Sequence, residues 1–65
     1  MNEIEARRLI RRYGWTACVR QKSSGRYLWA RKRVNGKLVG IYIAAMSRLD
    51  RFEPPDVLGR LPDVA

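Results

Sequence analysis

The chain has 65 residues, 46% of them hydrophobic, and 14 Lys or Arg against 6 Asp or Glu, a formal net charge of +8. Hydrophobic content at that level excludes a disordered basic tail, while the length allows one small domain burying roughly 60% of its unfolded surface. No run approaches the ~20 apolar residues of a membrane span, the charged start lacks a signal-peptide core, and the lone Cys18 allows no internal disulfide.

Residues 2–13 read as a helix. Asn2 is a suitable N-cap, and Glu3 and Glu5 suit the positive end of the helix dipole. Arg7, Arg8, Arg11 and Arg12 follow, with Glu3 and Arg7 spaced to pair. Ala6, Leu9, Ile10 and Tyr13 fall on one face, the stripe that a packed helix requires, and Ile4 falls on the opposite, Arg-bearing side. Gly14 stands where a glycine ends a helix.

Residues 15–44 read as a three-stranded antiparallel meander, with strands at 15–22, 26–34 and 37–44. Asn35-Gly36 between two alternating runs predicts a type I′ hairpin turn. Ser23-Ser24-Gly25 marks the other turn, with two- or three-residue loops both compatible. The Asn35-Gly36 turn sets Val34 opposite Lys37, Lys32 opposite Val39, Ala30 opposite Ile41 and Leu28 opposite Ile43. These positions share an apolar face for the helix, with Lys32 the exception. A Ser24-Gly25 turn adds Trp15, Ala17 and Val19 to it.

The tail, residues 47–65, is expected to pack on the sheet or on a partner. Ser47-Arg48-Leu49-Asp50 resembles a capping box opening a short helix. Glu53-Pro54-Pro55 is expected to stop that helix, and residues 56–61 to form another turn before Pro62. The fold class expected is therefore α+β: a helix, a three-stranded meander, and a short helical or irregular tail.

Between Ala6 and Leu49 stand twelve Lys or Arg and no Asp or Glu. A polyanion relieves the self-repulsion of such a block, and nucleic acid is the commonest one. Alternation gives the second sheet face Arg20, Lys22, Tyr27, Trp29, Arg31, Arg33 and Tyr42, with Thr16, Cys18, Leu38 and Gly40. Aromatic rings stack on bases or line grooves, and Arg binds phosphate or guanine bidentately. Eleven Arg against three Lys favour that planar use over diffuse charge. The bland alternative is that Leu49, Phe52, Val57 and Leu58, or a second subunit, cover Trp29 and Tyr42. The working cations would then be those at the rim, at the hairpin tip (Lys37) and on the helix (Arg7, Arg8, Arg11, Arg12). The helix cluster has its own bland alternative, a solvated face that aids solubility. With no His to activate it, Cys18 reads as a small packed residue.

The stretch Gly25-Arg-Tyr-Leu-Trp-Ala-Arg-Lys-Arg-Val-Asn-Gly-Lys-Leu-Val-Gly-Ile-Tyr-Ile resembles the amino-terminal arm-binding domain of tyrosine recombinases and the similar AP2 domains. That resemblance implies a three-stranded sheet laid in the DNA major groove, with Tyr27, Trp29, Arg31, Arg33 and Tyr42 facing the DNA. Those domains place their long helix after the sheet, whereas the helix here precedes it.

No His, no strand carboxylate and no Cys/His set supports catalysis, so neither an enzyme nor a cofactor or metal is expected. The function expected is nucleic-acid binding, double-stranded DNA ahead of RNA, in a soluble cytoplasmic protein that is nucleoid-associated if bacterial. The rival is an adaptor or inhibitor that docks on an acidic protein. A homodimer fits either, and no membrane partner is expected.

Overall fold

The computed structural model describes residues 1–61; residues 62–65, which include Pro62, Asp63 and the end of the predicted tail, lie outside the described residues. The order is α1 (Glu3–Arg12), β1 (Thr16–Lys22), β2 (Gly25–Val34), β3 (Lys37–Ala45), a 3₁₀ helix (Met46–Arg51) and α2 (Pro54–Leu58). The strands form one antiparallel sheet in the order β1-β2-β3, as expected.

Helix α1 starts and stops where its capping chemistry dictates. The Glu5 amide donates to the Asn2 side chain at 2.8 Å. At the other end the Gly14 amide donates to the Arg11 carbonyl and the Trp15 amide to the Ile10 carbonyl. With Gly14 at φ 86° this is a Schellman termination, which a residue with a Cβ disfavours. Ala6 and Ile10 are fully buried, whereas Ile4 is 62% exposed. Tyr13 corrects the predicted stripe: it is 53% exposed, because it is the C-cap and the chain turns away at its position.

Both hairpins form. Asn35 (φ 53°) and Gly36 (φ 79°) adopt the paired positive φ of a type I′ turn, and Val34 opposes Lys37. The first turn lies one residue earlier than a Ser24-Gly25 loop, which shifts the strand register by two. Ser23 and Ser24 form it, Lys22 pairs with Gly25, and Gly25 supplies the positive φ of 137°. A shift of two preserves the face of every side chain, so Ala17 and Val19 remain on the helix side. A bulge beside Leu28 and Trp29 corrects the third strand, with Leu28 opposite Ala44 rather than Ile43. The extra residue lets Ile43 and Ala44, adjacent in sequence, both be buried.

The tail packs on the same side of the sheet as α1. Leu49 and Val57 join Ala6, Ile10, Trp15, Leu28, Ala30, Ile43 and Ala44 in one core, with Leu9 and Phe52 at its margin. The predicted capping role of Ser47 is not realised: the 3₁₀ helix follows Ala45 with no side-chain cap. The prolines do not only stop a helix, they start one. Pro54 and Pro55 occupy the first turn of α2, where a missing N–H costs nothing, and Glu53 and Asp56 form a reciprocal capping box. The Met1 ammonium donates to the Leu49 and Phe52 carbonyls at 3.2 and 2.7 Å, tying the start of the chain to the 3₁₀ helix. No described helix is long and apolar enough to cross a membrane.

Candidate nucleic-acid interface

The helical elements all lie on one side of a slab measuring 33 × 26 × 16 Å, so the opposite sheet face is uncovered. Register places Thr16, Cys18, Arg20 and Lys22 from β1, Tyr27, Trp29, Arg31 and Arg33 from β2, and Leu38, Gly40 and Tyr42 from β3 on that face. None of them is buried, whereas every buried strand residue lies on the helix side or in the bulge. Tyr42 is 41% exposed and Leu38 61% exposed. Of the residues that the alternative reading laid over Trp29 and Tyr42, Leu49 and Val57 are buried in the core on the helix side instead, and Phe52 packs at the margin of that core beside the end of β3.

Aromatics occupy the centre of the face. Trp29 opposes Tyr42 across the ladder and meets it edge-to-face, with centroids 5.7 Å apart. Tyr27 lies 6.1 Å from Tyr42, and its hydroxyl hydrogen-bonds the Ser24 hydroxyl. The Arg20 guanidinium sits 4.5 Å from the centre of the Trp29 ring. The bare Gly40 backbone approaches the same indole, since a Cβ there would stand 3.8 Å from its Cε3. The indole Nε1 is shielded from solvent and has no hydrogen-bond partner.

Cations bracket this cluster: Arg20 and Lys22 toward the first hairpin, Arg31 and Arg33 toward the second. No ion pair engages any of the four among the described residues; the pairs that form are Glu3 with Arg7 at 3.0 Å and Glu3 with Arg26 at 3.6 Å. The strands carry seven Lys or Arg and no acid. The helical side carries seven Arg with Glu3, Glu5, Asp50, Glu53 and Asp56 among them. Of the strand cations, Arg20, Lys22, Arg31 and Arg33 stand on the open face with no acid beside them, whereas Arg26, Lys32 and Lys37 lie on the helix side, where cations and acids are mixed.

The twelve residues expected to bind nucleic acid do not form a single patch. Arg20, Lys22, Tyr27, Trp29, Arg31, Arg33 and Tyr42 share the open face. Lys37, opposite Val34, points to the other side of the hairpin tip. Arg7, Arg8 and Arg11 line a groove of about 400 Å³ along the β1 edge, over Trp15 and Thr16. Arg12 faces a different hollow, beside Met1 and Pro54. Lys32 lies on the helix side, with its ammonium 5.6 Å from the Trp15 ring centre. Two cations escaped the sequence reading. Arg48 and Arg60 reach the β3 edge beside Tyr42, a position that depends on the fold of the tail. No known protein family, curated protein or solved structure matches the chain.

Proposed function

We propose that this protein binds nucleic acid without catalysis, and that double-stranded DNA lies against the open face of the sheet. The observation that carries this reading is the uncovered face itself, where four cations without an ion pair among the described residues flank three aromatic rings, with no carboxylate on the face. Three strands span about 10 Å between their outer axes, close to the ~12 Å width of the major groove. Arg31 and Arg33 would supply phosphate or guanine contacts, Arg20 and Lys22 phosphate contacts, and Tyr27, Trp29 and Tyr42 apolar contact. This is the docking mode that the recombinase-arm resemblance implies.

The packing of Trp29 favours duplex over single-stranded RNA. Stacking an unpaired base needs a free ring face, yet Arg20 lies over one side of the indole, and the indole is close enough to Gly40 that a Cβ there would stand 3.8 Å from it. Competition at fixed salt tests the choice: unlabelled duplex DNA is expected to displace a labelled duplex at lower concentration than single-stranded RNA does. The reverse order would assign the face to RNA. Elution from DNA resin at the same salt as a size-matched basic control would instead favour an acidic protein partner.

A further inference from the structure

We infer that the cleft at the end of β3 holds a backbone phosphate of the nucleic acid lying on the sheet, gripped by Arg48 and Arg60. The inference rests on the proposed role of the sheet face and adds a site that flanks it. The cleft encloses about 320 Å³ between the last residues of β3 and the tail, and its lining includes Tyr42, Arg48, Phe52 and Arg60. Two guanidiniums and no carboxylate line it, which suits a phosphodiester and repels nothing in one.

Its walls are set by the core. Phe52 packs at the core margin, and its carbonyl accepts from the Met1 ammonium. The Arg60 guanidinium rests 5.4 Å from the centre of the Phe52 ring, which limits the freedom it would lose on binding. The neighbouring 3₁₀ helix, which carries Arg48, is anchored by buried Leu49.

Tyr42 connects the cleft to the sheet face. It touches Trp29 in the aromatic cluster and also lines the cleft. A groove seated on the sheet has a row of phosphates along each border, and the β3 edge is one of those borders. Arg48 and Arg60 stand where that row would pass.

The test compares Arg48→Ala/Arg60→Ala with the charge-matched Arg12→Ala/Arg51→Ala, whose side chains lie outside this cleft. Affinity for labelled duplex DNA would be measured by anisotropy from 50 to about 200 mM salt. Each phosphate left without its cation lowers the slope of log affinity against log salt by about 0.9, and affinity at 0.1 M by nearly tenfold. The slope of the cleft variant is expected to fall by about 0.9 more than that of its control, because the two guanidiniums share one phosphate. Arg48→Gln, which leaves Phe52 and Arg60 untouched, is expected to lower it by a part of that ~0.9. Equal behaviour of the cleft and control variants, with normal wild-type binding, overturns the cleft and leaves the sheet reading standing. Wild-type protein without affinity for duplex overturns both.

Discussion

At the scale of single residues, Trp29 and Arg20 show how strand alternation becomes a surface. Both positions follow from a period of two, but the guanidinium over the indole depends on the diagonal offset set by the Ser23-Ser24 turn. In a Trp15→Phe background, Arg20→Ala is expected to open Trp29 to solvent, with a red-shifted emission and stronger acrylamide quenching. Unchanged emission would mean that Arg20 does not cover the ring in solution. Ile10 is the counterpart inside the core. It is fully buried, and Ile10→Ala is expected to cost about 2–5 kcal/mol. A domain of this size holds only about 3–5 kcal/mol, so loss of the cooperative thermal transition is the expected readout. The helix pattern exposed both Ile10 and outward-facing Ile4 to a sequence reading. It misplaced Tyr13, because periodicity does not indicate which residue serves as the cap.

At the scale of elements, local chemistry was legible and long-range register less so. Asn2, Gly14 and Asn35-Gly36 act where their backbone and hydrogen-bonding properties require. Asn35→Val is expected to cost about 1–2 kcal/mol, because a β-branched residue resists the left-handed conformation; denaturant unfolding measures it, and an unchanged midpoint would contradict the type I′ geometry. The first turn lay one residue from a Ser24-Gly25 loop and the register two, yet the faces survived because side-chain orientation repeats every two residues. The bulge that buries Ile43 and Ala44 together carried no sequence signal. What it accommodates, the joint packing of Ile43 and Ala44 in a core shared with Leu49, is a tertiary contact that strand alternation does not encode. Pro54-Pro55 illustrates a different limit, since the same dipeptide can end one helix or begin another, and here the Glu53 and Asp56 capping box decides for the latter.

At the scale of the molecule, the acid-free run from Ala6 to Leu49 divides between two sides of a thin slab. Sequence showed the excess charge and the Arg/aromatic alternation. It did not show on which side the tail would lie, because Leu49 and Val57 would suit either apolar destination. Their burial with Ala6 and Ile10 leaves the Trp29/Tyr42 face open. The acids of the helical side then give the molecule a basic face and a mixed one. The measurement that tests this most directly is the salt dependence of duplex DNA binding for two charge-matched variants, Arg31→Ala/Arg33→Ala and Arg12→Ala/Arg51→Ala. The sheet variant is expected to lose about 1.8 from the slope of log affinity against log salt and at least tenfold in affinity at 0.1 M, while the helical-side variant stays within about twofold of wild type. Equal losses in the two variants, or the larger loss in the helical-side one, would contradict the account.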